Sequence, residues 1–310
     1  MHLHRHSLPQ LSGLPFITDS GLETTLVFHD GLSLPCFASF PLLENEAGRK
    51  RLRDYFQTHI DIARRCRAGF LLEAPTWRAN RDWGSKMGYS LPQLQAINRD
   101  AIYFLEQIRL SNPDVPMVIS GNIGPRGDGY NPAFLMSAQE AQEYHAEQIA
   151  TFADTRADLV SAFTLCYAAE AIGITRAAQA AGMPVVISFT LETDGKLITG
   201  QTLQDAIEEV DAATHSGPAY YMINCAHPTH FSDTLQGERW LQRIVGVRAN
   251  SSRKSHAELD ASTELDDGNP VELGQEYREL KARLTNLSVY GGCCGTDHRH
   301  VDQIGKHCLA

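Results

Sequence analysis

The chain has 310 residues, 43% of them hydrophobic, which is ample for a buried core in one large or two small domains. A formal net charge of −10 argues against a polyanionic partner, because nucleic-acid binders carry a basic face, so no nucleic acid is expected and small-molecule chemistry is the default. Apolar runs such as Met183–Ile187 fall far short of the roughly 20 residues that span a bilayer, and the N-terminus shows no hydrophobic signal segment; a soluble, cytoplasmic chain with no membrane partner is expected.

In chain order, residues 1–12, with histidines at His2, His4 and His6, read as a disordered N-terminus outside any site. Phe16–Asp19 is the first candidate strand, and the helix after it is predicted over Glu44–Arg67, where Leu52, Tyr55, Phe56, His59, Ile60 and Ala63 recur at helical spacing. Gly69–Glu73 is the second strand. A helix over Leu91–Leu110 precedes the third, Met117–Ser120, and a helix over Ala138–Asp154 follows it. Asp158–Phe163 is the fourth strand, leading to an alanine-rich helix that stops near Gly182. The remaining strands are Val185–Phe189, Tyr220–Asn224, Ile244–Arg248 and Leu287–Tyr290, with helices around Leu203–Thr214, Ser232–Arg243 and Glu272–Leu284. Eight alternating βα units predict an α/β protein whose whole length, residues 1–310, forms one closed (β/α)₈ TIM barrel. The polar stretch Asn250–Pro270 is the one long loop, placed over the barrel mouth.

Barrel enzymes carry their chemistry at the C-terminal ends of the strands, and the unusual residues of this chain fall there. Asp19 ends the first strand, Glu73 to Trp77 the second and Cys225 the sixth. Cys293 and Cys294 end the eighth, within Gly291-Gly292-Cys293-Cys294-Gly295-Thr296. Side chains of adjacent residues diverge on a regular element, so two neighbouring thiols face one point only across a sharp bend, which flanking glycines permit. With Cys225 they make three thiolates around one centre with a fourth position open, the composition of a reactive zinc site. A vicinal disulfide is the alternative. Seven cysteines, an odd number, without a secretion signal favour reduced thiols, and Cys36, Cys66, Cys166 and Cys308 read as small hydrophobes.

Asn224-Cys225 on one segment and Gly291–Thr296 on a later one resemble the homocysteine S-methyltransferase family. Thr18–Thr24 is similar to the family's opening Asp-Gly-Gly segment, and Gly121–Pro125 to its Gly-Pro turn. Ser188-Phe189-Thr190 leading to Asp194-Gly195, Leu197 and Gly200 extends the similarity, which runs from about Phe16 to Val301. The resemblance implies a zinc cofactor held by Cys225, Cys293 and Cys294, with no catalytic residue beyond these ligands. It implies two small-molecule partners, a thiol acceptor and a methyl donor, and a place in methionine biosynthesis. Since the family uses thiolates alone, His227, His298 and His300 are given supporting or surface roles. Asp19, Glu23, Trp77, Phe163, Thr164 and Asn224 are the expected substrate-binding residues.

Zinc bound to an acceptor thiol would remove the limit set by a thiol pKa near 8.5, and a sulfonium or ammonium donor suits the attack because it leaves neutral. In so short a chain no corrinoid or folate domain is expected, so the donor is read as a free molecule such as S-methylmethionine or betaine. Trp77, Trp83 and Tyr89 offer aromatic faces to such an onium group, with loop packing as the competing reading. The chain departs from the family in two places. Phe163-Thr164 stands where a Glu-Thr pair usually holds the amino group of homocysteine, and Ser20 replaces a glycine. If the acceptor is an amino acid, its ammonium needs another anion, Asp19, Glu23 or Glu73; otherwise thiols lacking the α-amino group are expected to be tolerated. The chain also lacks the long C-terminal arm with which betaine-dependent members assemble, so a monomer or small homo-oligomer is expected. Two alternatives accompany homocysteine methylation: the same chemistry on a different thiol or selenol, and a non-catalytic zinc- or thiol-binding barrel.

Overall fold

The computed structural model describes residues 3–237 and 239–309. All eight predicted strands form: β1 (Phe16–Thr18), β2 (Gly69–Glu73), β3 (Met117–Ile123), β4 (Leu159–Leu165), β5 (Val185–Phe189), β6 (Tyr220–Asn224), β7 (Ile244–Ala249) and β8 (Val289–Gly292). Each pairs in parallel with its neighbour in sequence, and β8 returns to β1, closing a (β/α)₈ barrel. The period-2 alternation of side chains separates two cores. Phe16, Leu71, Val118, Leu159, Val186, Tyr220, Met222 and Val289 fill the barrel interior. Ile17, Phe70, Ile119, Val160, Ile187, Tyr221 and Tyr290 face the surrounding helices.

Several boundaries differ from the sequence expectation. β3 runs through Gly121, Asn122 and Ile123, because Val160, Ser161 and Ala162 of β4 supply partners for all three. A glycine therefore does not end a strand whose neighbour continues the ladder. The helix expected over Ser232–Arg243 does not form as one element: a short α-helix at Pro228–Phe231 is followed by 3₁₀ turns at Ser232–Thr234 and Trp240–Arg243. Gly237 sits between them at φ 98°, outside helical space, and Trp240 Nε1 donates to the Gln236 carbonyl at 2.8 Å.

The expectation of a disordered N-terminus is corrected for residues 3–12. The Leu3 and His4 amides donate to Asp158 Oδ1, Arg5 donates to the Ala157 carbonyl, and Leu8 and Gln10 are buried. Gln10 Nε2 reaches Tyr220 Oη at 3.2 Å, so this segment plugs the N-terminal end of the barrel. Met1 and His2 lie outside the described residues. Among the described residues no helix is long and apolar enough to cross a membrane.

Candidate metal centre and substrate cavity

At the opposite end, the C-terminal ends of the strands surround a cavity of about 490 Å³. Two connections cover it. One is the irregular run after β1, which contributes Glu23, Phe28 and Phe37; the other is the long loop after β7, which contributes Ser252, His256, Leu259 and Leu265. The loop lies over the mouth as expected and holds a short helix, His256–Asp260. All nine residues expected to bind metal or substrate line this one cavity: Asp19, Glu23, Trp77, Phe163, Thr164, Asn224, Cys225, Cys293 and Cys294.

The three cysteines converge because two strand ends are bent towards each other. Cys225 follows β6 at φ 54°, a left-handed conformation that a non-glycine residue rarely takes, and its amide donates to the Arg248 carbonyl. Beyond β8, Gly295 turns the chain at φ 77°, and a side chain at Gly21 would meet the Cys293 carbonyl oxygen at 2.6 Å. These constraints put the three Sγ atoms within 4.8 Å of one another. Cys225 Sγ and Cys294 Sγ stand 3.8 Å apart. That equals the edge of a tetrahedron with arms of about 2.3 Å, the zinc–sulfur distance. The donor set thus fits a thiolate-bound metal.

The expectation of wholly reduced thiols is corrected here: Cys225 and Cys293 are joined as a disulfide, while Cys294 is free. The pairing is not the vicinal one. Convergence accounts for it, since the Cα atoms of Cys225 and Cys293 lie 5.4 Å apart, within the range a disulfide bridges. Of the remaining cysteines, Cys166 and Cys308 are buried and Cys66 partly so, but Cys36 is exposed and does not behave as a core residue.

Asn224 organises the wall beside the sulfurs. Its Oδ1 accepts from the Thr164 amide at 2.9 Å and from Ser188 Oγ at 2.7 Å, and its Nδ2 donates to Thr164 Oγ1. The same Nδ2 lies 3.9 Å from Cys293 Sγ. Thr164 is itself held at φ 63° by this clamp.

Asp19 is fully engaged: Oδ1 receives Arg248 at 2.9 Å and Thr18 Oγ1, and Oδ2 receives Tyr55 Oη. Arg248 also donates to the Gly292 and Ser20 carbonyls, which ties β7 to β8 and β1. Its guanidinium stands 5.1 Å from the centre of the Phe163 ring. Burial would lower the pKa of Arg248, but Asp19 and Glu73 outweigh that and raise it. Burial pushes the carboxyls of Glu23 and Glu73 upward, the latter to about 7. Burial and the charge of Glu23 push the Cys294 thiol up as well. Ser20 fits its glycine-like position by turning its hydroxyl outward to Tyr55 Oη and His59 Nε2.

Trp77 lines the cavity, yet the Arg78 guanidinium lies 4.0 Å from its ring centre and 3.7 Å from that of Trp83. A built-in cation therefore lies against each of these two rings. Tyr89 bonds Glu44 and packs edge-on against Phe40, as a loop-packing residue does. No histidine joins the sulfur cluster among the described residues. His227 is buried 3.3 Å from Glu276 with its pKa pushed down by burial to about 3, His300 caps the last helix, and His298 is exposed. Arg78, Tyr130, Arg248 and His256 were missed. His256 anchors the covering loop, its Nε2 2.6 Å from the Cys225 carbonyl, with its ring against Tyr130. The signal for Arg248 was present: a single charge closing an apolar strand at the mouth.

The fold and site together define a class of protein, a closed (β/α)₈ barrel that carries a cluster of three cysteine sulfurs in a cavity at its C-terminal mouth. Within that class the family is shown by sequence: the homocysteine S-methyltransferase family profile matches residues 16–308, and the chain belongs to that family. Methionine synthase of Mycobacterium leprae (strain TN) is 28% identical over 203 residues, covering 63% of this chain and 16% of that protein. Methionine synthase of Mycobacterium tuberculosis (strain ATCC 25618 / H37Rv) is 28% identical over 216 residues with the same coverages. The chain thus spans about one sixth of the length of these curated relatives. The fold matches the homocysteine methyltransferase MmuM from Escherichia coli in its oxidised form (TM-score 0.72, 19% identity, 94% of this chain and 95% of that one). It matches the metallated form with TM-score 0.71 and 19% identity, over 94% and 96% of the two chains.

Proposed function

We propose that this chain transfers a methyl group from a small onium donor, such as S-methylmethionine or betaine, to the thiol of homocysteine, giving methionine, with zinc as cofactor. The observation that carries the proposal is the convergence of three cysteine sulfurs within 4.8 Å on the wall of the cavity at the barrel mouth. Once the Cys225–Cys293 bond is reduced, Cys225, Cys293 and Cys294 would hold zinc, which supplies acidity to a thiol in the open position so that it reacts as thiolate at neutral pH. In the transfer, the acceptor sulfur bonds the methyl carbon. The donor's bond to that carbon breaks, its electron pair returns to the donor, which leaves neutral, and the acceptor's thiol proton goes to solvent.

The chain's own residues position and enclose. Asn224 holds Thr164 beside Cys293, Asp19 and Arg248 lock the strand ends that carry the cysteines, and His256 fastens the covering loop that limits water. The test is methionine formation by reduced, zinc-loaded protein with homocysteine and either donor, against Cys294→Ser. Turnover that survives the substitution would sink the proposal. One observation favours a second reading, a different thiol or selenol acceptor: Phe163 gives that side of the cavity an apolar ring and no acceptor for an ammonium.

A further inference from the structure

An amino-acid acceptor brings an ammonium group into the cavity, and such a group is costly where it is desolvated unless it meets an anion. Seven carboxylates line the cavity, and only two, Asp19 and Glu73, are buried. Asp19 has donors on both oxygens, from Arg248, Thr18 and Tyr55. Its charge is matched by that of Arg248. Glu73 is different. Its Oε1 accepts from Ser161 Oγ at 3.1 Å, while its Oε2 is buried and has no hydrogen-bond partner. Ser120 also stands within reach of the carboxyl and acts to lower its pKa, but its Oγ makes its hydrogen bond to Ser161 Oγ at 2.8 Å, and Oε2 keeps no partner at hydrogen-bond distance. A native protein seldom keeps a buried carboxylate oxygen without a donor unless something else comes to it.

The position of Glu73 gives that vacancy a meaning. Glu73 ends β2 on the inward face and reaches across β3 to Ser161 of β4. Ser161 precedes Phe163 by two residues, so both project from the same face of β4. The carboxylate of Glu73 therefore stands beneath the place where Phe163 leaves β4 without an anion. Asp19 and Glu73 both act on Arg248, so when both are ionised these two carboxylates share one guanidinium.

We propose that Glu73 is the acceptor-specificity residue of this site: its open Oε2 receives the ammonium of an α-amino thiol, a role that β4 does not fill in this chain. The acceptor class rests on the methyl-transfer reading, whereas the binding step stands without it. Such a role differs from the expectation, drawn from Phe163, that thiols lacking the α-amino group are tolerated.

The experiment is calorimetric titration of reduced, zinc-loaded protein with homocysteine and with 4-mercaptobutyrate, the same chain without the amino group. The natural protein should bind homocysteine at least tenfold more tightly, and Glu73→Gln should reduce that ratio to threefold or less. Glu73→Asp, which keeps the charge but withdraws it by one methylene, should give an intermediate ratio and decides the matter if the glutamine variant does not fold. Adding Phe163→Glu to Glu73→Gln should restore the preference by supplying the anion from β4. Equal binding of the two thiols by the natural protein, or a preference that survives loss of the Glu73 charge, overturns the proposal. Methionine formation is measured in parallel: retained discrimination without turnover overturns the methyl-transfer reading and leaves the role of Glu73 standing.

Discussion

Arg248 Nη2 lies 2.9 Å from Asp19 Oδ1, and both side chains are buried. The pair joins β7 to β1 across the end of β8, whose next residues are the paired cysteines, and Arg248 adds hydrogen bonds to the Gly292 and Ser20 carbonyls. It is a clasp on the strand ends that shape the sulfur centre.

Arg248→Ala leaves Asp19 buried without its cation and should destabilise the fold by roughly 3–5 kcal/mol, read as a lower urea midpoint. Adding Asp19→Ala should cost less than the sum of the single changes, because the stranded charge is then removed. A single substitution that moves stability by less than about 0.5 kcal/mol would show that the pair does not hold the mouth together.

The disulfide withholds two of the three sulfurs from a metal. Denatured without reductant, the protein should titrate five thiols, and after reduction all seven. Reduced protein should hold about one zinc per chain and oxidised protein very little. Cys225→Ser, Cys293→Ser and Cys294→Ser should each weaken retention. Stoichiometric zinc in the triple variant would place the metal elsewhere.

Trp77 carries Arg78 on its ring at 4.0 Å, and its Nε1 donates to the Phe163 carbonyl at 3.3 Å. Trp77→Ala should therefore lower stability, with about 0.5–2 kcal/mol arising from the lost cation–π contact. Donor and thiol Michaelis constants should move together. A rise confined to the donor constant would instead seat the onium group against the indole.

Glu73 gives stability a pH dependence. Burial raises its pKa from 4.5 to about 7, so between those values the folded state holds a proton that the unfolded state releases. The stabilisation is full below about pH 4.5 and disappears as pH rises through 7. Relative to Glu73→Gln, which does not titrate, the natural metal-free protein should lose up to about 3 kcal/mol between pH 5 and pH 8. Chemical denaturation of both proteins at the two pH values checks this. A constant difference would mean that the carboxyl is not desolvated.

Much of this architecture was legible in the sequence because its signals are local. Apolar runs such as Tyr220–Asn224 and Val185–Phe189 alternate with helical spacings such as that of Leu52, Tyr55, Phe56 and Ile60, and eight alternations leave few arrangements besides a closed barrel. The sulfur cluster was legible for the same reason: Cys225 and the Cys293-Cys294 pair follow strand ends, and a barrel brings strand ends to one mouth.

The sequence by itself therefore determined the order of elements, the closure of the barrel, and which residues gather at its C-terminal mouth. Tertiary structure decided what each of those residues does there, because charge pairing depends on distances across the barrel that no sequence spacing encodes. Asp19, Glu23 and Glu73 look alike in the chain, but only the fold gives Asp19 to Arg248, turns Glu23 towards Ser39 and leaves Glu73 Oε2 open. The same fold laid Arg78 over Trp77, fastened His256 to the Cys225 carbonyl, and brought two of the three thiols close enough to bond.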